Sequence, residues 1–308
     1  MISKQVVSHD DVMDIIESEF NFTVTKLPLV GPDNLPTPCK GLFRSDTGAF
    51  VGRSSVGADY VTHSNQQICE LTKAGMSLFG DKVELCCHFM NGHFVSIRPT
   101  EEERHAIYGT RDNIFPVLML HAGYDQTPVT YKLFAKRDAC DNMILLRTVL
   151  DAQYRILHRK SLDYKVEQLL SDLSGLKQGW EGVKQAADRM QSREVLLDEF
   201  LVAVYGEPSV NEETGGRSSR SCAIHYNRTR EIMDRVINER YRTGRPSFVM
   251  GTKFTVSAWE AYNAVQGFQQ HDATRRKSGT GGVTEFDRVI LASNDNYVKQ
   301  AEVLALAS

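Results

Sequence analysis

Apolar residues recur at helical spacing near the start of the chain. They follow an acidic segment, and acidic residues in a first turn interact favourably with the helix dipole. The pattern predicts a short helix whose other face is acidic and solvated, with an apolar stripe at Val12, Ile15, Ile16 and Phe20. Prolines at four positions between residues 27 and 40 predict that this next stretch is a loop.

The stretch from residue 41 to residue 134 consists of short apolar-rich runs separated by turn residues. The segment Ser45–Gly48 and the dipeptide Asn91-Gly92 are sequences that close antiparallel hairpins. Ser64–Phe79 instead has the spacing of one helix. We therefore expect one helix and three strand pairs, which are 41–44 with 49–52, 83–90 with 93–97, and 114–120 with 129–134.

From residue 142 onwards the periodicity becomes helical. It predicts helices over 143–173, 180–204, 223–243, 257–271 and 295–306, with an exposed polar loop over 208–221. The expected fold class is α+β, with a mostly antiparallel sheet in the N-terminal half packed with long helices of the C-terminal half. The expected regions are 1–40 (N-terminal helix and Pro-rich loop), 41–140 (antiparallel β-rich part with one helix) and 141–308 (helical part), the last two forming one composite domain.

Composition and charge narrow the function classes. The 308 residues carry 36 Lys and Arg against 39 Asp and Glu, a net charge of −3, which excludes a uniformly basic nucleic-acid coat protein. No apolar run approaches the roughly 18 residues of a membrane span, and the first residues lack the pattern of a secretory signal. We therefore expect a protein of the bacterial cytoplasm with no membrane partner and with six reduced cysteines.

One segment has a charge very different from the net charge of the whole chain. Residues 217–245 contain eight arginines against three acidic residues, so the segment carries 8 − 3 = +5, and Tyr226 and Tyr241 are interleaved with the arginines. Arginine suits bidentate phosphate contacts, and aromatic rings stack on bases of any sequence. An ordinary solvated helix with ion pairs such as Glu231 with Arg235 is the alternative.

Two further basic clusters lie outside this segment. One follows residue 154, and the other precedes the Gly-rich run 279–282. The predicted nucleic-acid-binding residues are Arg217, Arg220, Arg228, Arg230, Arg235, Arg155, Arg159, Lys160, Arg275, Arg276 and Lys277.

Catalytic and metal motifs give weaker signals. The chain has no phosphate-binding loop of the P-loop type, no dinucleotide-binding glycine pattern and no H-E-x-x-H motif. Adjacent Cys86 and Cys87 with His88 and His93 are a conceivable zinc-ligand set, although facing polar residues on a sheet are the commoner case. An enzyme of the Cys/His type is the alternative function, and its candidate residues are His121, Cys140 and His158. From the sequence alone, we predict no catalytic residue, no metal and no cofactor.

Several short motifs, in their order along the chain, resemble the phage/plasmid-like family called domain of unknown function 932. The resemblance spans roughly residues 41–305. Its motifs are Phe43–Gly48 with Gly52 and Tyr60–Thr62, Leu120–Gly123, Thr127–Val129, Cys140–Met143, Ile156–His158, and Trp259–Val265 with His271. Leu120 and Ala122 stand where the family usually has Ser and Asp, which weakens any chemistry that needs that Asp.

The resemblance implies a phage or mobile-element setting among replication and recombination functions, and it supplies no active site. The expected architecture, a sheet followed by long helices with local basic surface, is more distantly similar to that of phage single-strand annealing proteins. We therefore expect a protein that binds single-stranded DNA, such as an annealing protein in recombination that forms a ring or filament. A protein–protein adaptor or counter-defence factor, acting through the acidic first helix, is the other alternative.

Overall fold

The structure of the chain is a computed structural model. It describes residues 4–89, 92–100, 104–124, 128–140, 142–146, 154–156, 174–210, 215–245, 254–273 and 285–307. The chain is α+β, as predicted, with antiparallel sheets in the N-terminal half and helices in the C-terminal half. Two compact units are present: unit 1 comprises Met1–Glu103, Pro116–Phe134 and Leu150–Trp180, and unit 2 comprises Arg104–Phe115, Ala135–Val149 and Glu181–Ser308.

Strands predominate in the first half of the described chain, and helices predominate in the second half. The strands are β1 (Lys4–Ser8), β2 (Val24–Val30), β3 (Pro36–Arg44), β4 (Phe50–Val56), β5 (Lys82–Phe89), β6 (Gly92–Pro99), β7 (His105–Ala106), β8 (Asn113–Gly123), β9 (Val129–Arg137), β10 (Met143–Ile144), β11 (Tyr154–Ile156), β12 (Glu194–Leu196) and β13 (Thr255–Ser257). The helices are α1 (Val12–Glu19), α2 (Asn65–Met76), α3 (Ser174–Ser192), α4 (Leu197–Tyr205), α5 (Ser219–Thr243), α6 (Ala258–Gly267), α7 (Glu285–Asn294) and α8 (Asn296–Leu306).

The main sheet has the strand order β1-β5-β6-β8-β9-β10, with β11 paired to β9 and β7 paired to β8. In unit 1, α2 packs on this sheet. Its capping box at Ser64 and Gln67 satisfies the first backbone donors, so the helix begins where the sequence predicted. A Cβ on Gly75 would lie 2.6 Å from Cδ1 of Ile97, so the absence of a side chain allows the helix to approach the sheet closely.

The predicted hairpins are confirmed by the strand registers. Phe43 pairs with Phe50 across the first, and Leu85 pairs with Ile97 across the second. In the third pair, β8 and β9 are neighbours in the main sheet. Strand β1, which the sequence did not predict, pairs antiparallel with β5 at the edge of the sheet.

The predicted loop over 27–40 is wrong. Strands β2 and β3 occupy most of it, with a short 3-10 turn at Pro32–Asn34, and with β4 they form a separate three-stranded sheet. Pro28 lies opposite Lys40 on β2, which pairs with β3 alone among the described strands. An edge strand tolerates proline because its outer backbone donors need no partner strand.

Two predicted helices are also wrong in part. The run 143–146 begins with β10 and is buried at every position, and Tyr154 on β11 pairs with Tyr131, so 143–173 is not one helix. The remainder of that prediction, including 157–173, lies outside the described residues. The helix predicted over 180–204 is interrupted by β12, which pairs with β13. The run 143–146 is continuously apolar, and periodicity alone does not distinguish a buried strand of this kind from a buried helix.

Unit 2 is built around α6. Every residue of this helix is buried, its Ser257–Glu260 capping box fixes its first turn, and it packs against α5 and α8. The predicted helices over 223–243, 257–271 and 295–306 are confirmed as α5, α6 with its continuing π-turn Phe268–Asp272, and α8. Helix α7 was not predicted. Across the described part of the chain, no helix combines the length and apolar character that crossing a membrane requires.

Replacement of Gly92 by Ala is expected to destabilise the protein. An added Cβ would lie 2.5 Å from Cα of Gly123 and 2.6 Å from the carbonyl oxygen of Ala122, and backbone at that distance cannot yield without displacing β8. We expect the free energy of unfolding to fall by about 1–3 kcal/mol in urea titrations. Gly57→Ala is the matched control, because a Cβ there meets nothing within 4 Å. Equal stability of both variants would contradict this packing.

Candidate nucleic-acid interface

A buried arginine joins three segments of unit 2. The side chain of Arg137, at the end of β9, is 2% exposed. Its Nη2 atom lies 2.6 Å from Oδ2 of Asp112, and its Nη1 atom lies 2.6 Å from Oε2 of Glu239 on α5. Burial alone would lower the pKa of this guanidinium, but the negative charges of Glu239 and Asp112 outweigh burial and raise it. The group is therefore charged at every physiological pH, and the three residues form one ion-pair triad.

The triad fixes a tight turn before β8. The amide of Thr110 donates to the carbonyl of Ile107 at 3.1 Å, and Gly109 has a φ of 71°, which is the pattern of a type II turn. Oγ1 of Thr110 accepts a hydrogen bond from the amide of Asp112 at 3.0 Å. The turn therefore presents Tyr108 outwards while Asp112 reaches Arg137.

The same turn contacts the C-terminal end of α5. The amide of Arg111 donates to the carbonyl of Thr243 at 3.0 Å. Gly244 caps the helix with a φ of 70°, and a Cβ on it would lie 3.1 Å from Nε of Arg111, so the arginine side chain lies against bare backbone. Glycine is favoured at this left-handed position.

These contacts build an exposed, basic and aromatic surface, which we call the corner: Tyr108, Arg111 and Arg242. Tyr108 is 82% exposed, and both arginines are exposed. Arg242 donates to the carbonyl of Ala139 at 3.3 Å. Neither arginine forms an ion pair with an acid among the residues that the structure describes. An exposed aromatic ring and two exposed guanidinium groups on adjoining backbone segments are suited to an unpaired base and its phosphates.

Most arginines of the 217–245 segment have contacts within the fold. Arg228 lies over the rings of Tyr205 and Tyr297, at 4.4 and 5.7 Å from their centroids. Arg240 and Arg245 both reach Glu260. Among the predicted site residues, Arg217 pairs with Glu207 at 2.9 Å and Arg235 pairs with Asp272.

The exposed charges of α5 are therefore nearly balanced. Arg220, Arg230 and Arg242 are exposed on it, against Glu231 and Asp234, which gives 3 − 2 = +1. The predicted ion pair between Glu231 and Arg235 is not seen in the described structure, where Arg235 pairs with Asp272 instead.

Six predicted basic residues lie outside the segment 217–245. Arg155 lies on β11, opposite Thr130, and nothing is described of its side chain. The remaining five lie outside the described residues, and their part in an interface stays a prediction: Arg159, Lys160, Arg275, Arg276 and Lys277.

Two motifs of the resemblance contact each other inside unit 2. Nδ2 of Asn142 donates to the carbonyl of Asn263 at 3.0 Å, and Nε2 of His271 lies 3.2 Å from Oδ1 of Asn142. Gln266 donates to the carbonyl of Met143, whose amide donates to Gln270. Asn142 and Asn263 are fully buried, so these residues hold the β10 segment against α6. The two motifs therefore have a structural role, because the turn that carries Asn142 bonds to the helix that carries Asn263.

Cys140 and His121, the two described residues of the Cys/His alternative, belong to different compact units. Burial raises the pKa of Cys140 to about 11, so it is a thiol at neutral pH, whereas catalysis needs the thiolate. Its Sγ atom accepts from Nη1 of Arg137 at 3.5 Å. His121 belongs to unit 1, where its ring stacks on Phe94 at 4.2 Å between centroids. His158 lies outside the described residues.

The conceivable zinc set does not converge on one point. His88 pairs with Phe94 and His93 pairs with Phe89, so the two imidazoles project from opposite faces of the sheet. Nδ1 of His93 lies 2.8 Å from Nε2 of His63 in a cluster of aromatic rings. Burial, with the charges of Arg44 and His121, lowers the pKa of His93 to about 3. No group of three metal-ligating side chains occurs within the described ranges.

The acidic first helix has the solvated face that its pattern predicted. Val12 and Ile16 of α1 are buried, while Asp14, Glu17 and Glu19 are exposed. The use of this face by an adaptor stays a prediction.

Tyr108 and Arg111 were missed as site residues, and Arg242 entered only as one of eight arginines. The local signal is the sequence Tyr108-Gly109-Thr110-Arg111, in which a glycine turn separates an aromatic residue from an arginine. Their position beside the end of α5 depends on Arg137 and on the hydrogen bond to Thr243, which no local pattern shows.

Residues 53–290 match the family model described as a domain of unknown function, DUF932. No curated protein and no solved structure matches the chain.

Replacement of Arg137 by Met is expected to lower stability more than replacement of any exposed arginine does. The change leaves Asp112 and Glu239 buried without their cation, and removal of one partner from a buried pair costs about 3–5 kcal/mol. Arg220→Met is the control, because Arg220 is exposed and its loss is expected to change stability by less than about 0.5 kcal/mol. Thermal and urea unfolding measure both, and similar losses would show that the triad does not stabilise unit 2.

Proposed function

We propose that this chain, which belongs to the DUF932 family, binds single-stranded nucleic acid through the corner. The observation that supports the proposal is that exposed Tyr108 lies in the turn whose Arg111 amide bonds to Thr243, the residue after Arg242. Neither arginine forms an ion pair with an acid within the described ranges. Single-strand binding combines aromatic stacking with cationic contacts to the backbone, and both components are present at this surface.

The geometry favours a single strand over a duplex. In a duplex the bases are stacked on each other, and a side chain reaches only their edges in a groove. Tyr108 projects from a tight turn, where its ring is accessible to a base that has no neighbour on one side. In this proposal, Arg111 and Arg242 contact phosphates on either side of such a base.

A role in recombination, such as strand annealing, extends this proposal. One corner offers few contacts, so useful affinity requires several copies along one strand. The proposal therefore includes assembly into a ring or filament. It also includes a phage or mobile-element origin and a location in the bacterial cytoplasm. DNA is the expected strand, and comparison with RNA of the same sequence tests that choice.

Fluorescence anisotropy of a labelled oligonucleotide against salt concentration tests the proposed function. We expect the intact protein to bind a single strand more tightly than a duplex, and log affinity to fall linearly with log salt. The Arg111→Ala/Arg242→Ala variant is expected to bind more weakly, with the slope reduced by about 1.4, since each phosphate contact on a single strand contributes about 0.7.

Arg220→Ala/Arg288→Ala is the matched control for this double variant. It removes two exposed arginines of unit 2 that have no described contact with the corner, and it changes the net charge equally. Retained affinity is expected. No binding by the intact protein at low salt would overturn the function, whereas loss in the control alone would place the interface elsewhere on unit 2.

Tyr108 variants separate stacking from charge. Tyr108→Ala is expected to weaken single-strand binding by roughly 5- to 150-fold, which corresponds to about 1–3 kcal/mol for one stacked base. Tyr108→Phe keeps the ring and is expected to bind as the intact protein does. The same titration, performed at one salt concentration, measures both variants. Equal affinity of the Ala and Phe variants would exclude stacking at this ring.

A further inference from the structure

Helix α5 has an exposed face that nothing in the described structure covers. Tyr226, Ile237 and Tyr241 on this face are 65%, 45% and 88% exposed, which is unusual for large apolar and aromatic side chains on one helix. At about 100° per residue they fall within an arc of about 100° together with three other exposed residues. We call this face the α5 stripe: Ala223, Tyr226, Arg230, Asp234, Ile237 and Tyr241.

The α5 stripe is complementary to itself when reversed. Arg230 and Asp234 lie two residues before and two residues after Ile232. Ala223 and Tyr241 lie nine residues before and nine after it, and they share one angular position on the helix. An antiparallel pair of these helices, related by a two-fold axis at the level of Ile232, therefore brings opposite charges together and sets a small residue opposite a large one.

We propose that the α5 stripe binds a second copy of this chain in an antiparallel helix pair. Arg230 of each copy meets Asp234 of the other, so the contact contains two equivalent ion pairs. Tyr241 of each copy packs over Ala223 of the other, where the small side chain leaves room for the ring. Neither Arg230 nor Asp234 forms an ion pair with another residue of the described ranges, so both charges are available.

Charge and shape favour a copy of the chain over a nucleic acid at the α5 stripe. Arg230 and Asp234 cancel, so the stripe attracts no polyanion, whereas a self-complementary pattern fits the two-fold contacts of homodimers. The stripe extends over about 27 Å of helix, since about 18 residues rise about 1.5 Å each. Antiparallel helices that cross at about 20° can remain in contact over such a length.

A two-fold contact closes on itself and gives a dimer. A ring or filament would need a second contact on another face, so the proposed dimer is a separate claim from the annealing assembly. It also uses residues other than the corner. The two corners of such a dimer would be available to one strand or to two.

Sedimentation velocity of the intact protein without nucleic acid tests the dimer. We expect a monomer–dimer equilibrium, and we expect Arg230→Glu or Asp234→Lys to raise the dimer dissociation constant at least tenfold, because each places two like-charged pairs across the axis. Glu231→Lys is the control for a charge reversal on α5, since Glu231 is exposed and lies outside the stripe. Its effect is expected to be under threefold.

Mixing the two single variants distinguishes an ion pair between copies from a folding defect. A chain carrying Arg230→Glu offers two negative charges and a chain carrying Asp234→Lys offers two positive ones, so an equimolar mixture is expected to dimerise although neither variant does alone. The double variant Arg230→Glu/Asp234→Lys is expected to dimerise by itself. Circular dichroism and thermal unfolding confirm that each variant is folded.

A monomeric intact protein at about 100 µM or more, a concentration of the order at which weak specific contacts still form, would overturn the proposal. Dimers that persist equally in both single variants would overturn it as well. Loss of single-strand binding on reversal of Arg230, with the association state unchanged, would assign the stripe to nucleic acid instead. The sedimentation outcomes do not depend on whether the corner binds a strand, so the two proposals fail independently.

Discussion

The Arg137 guanidinium is the interaction on which unit 2 depends. A fully desolvated cation is unfavourable unless carboxylates surround it, and Asp112 and Glu239 supply them from two segments that are distant in the chain. Because the three must meet, the end of β9, the turn before β8 and the last turns of α5 are brought to one place. The exposed corner is a consequence of this buried triad, since Tyr108 and Arg111 belong to the turn that Asp112 anchors.

The arginine-rich segment shows why a net charge counted along a sequence differs from a surface charge. The segment carries +5, but several of its arginines are paired within the chain, against Glu207, Glu260 and Asp272, and Arg228 lies over tyrosine rings. What remains outside on α5 is nearly neutral. A surface able to attract phosphates arises where the helix ends, because Arg242 is joined there by Arg111 from another part of the chain. Position, more than composition, decides which arginines are available.

Local patterns predicted the parts of the fold that local physics determines. The helix that begins at Ser64, the hairpin closed at Ser45–Gly48 and the helix ending at Gly244 all depend on caps and turns within a few residues. The wrong predictions fall on segments whose secondary structure is determined by pairing with distant parts of the chain. Residues 143–144 and 194–196 lie within helical patterns but form strands because β9 and β13 provide partners. Pro28 lies in a strand because that strand is at an edge. The corner was missed for the same reason: Arg111 and Thr243 are far apart in the sequence.

Hydrogen–deuterium exchange with and without a single-stranded oligonucleotide tests the central claim, that the surface held by the Arg137 triad is the interface. The amide of Arg111 already donates to Thr243, and a bound strand would cover the turn that carries it. We expect slower exchange of the backbone amides over residues 107–112 and 239–245 when the strand is bound, with little change in the acidic helix α1. Saturating binding that leaves amide exchange in both segments unchanged would contradict the claim that the corner is the interface.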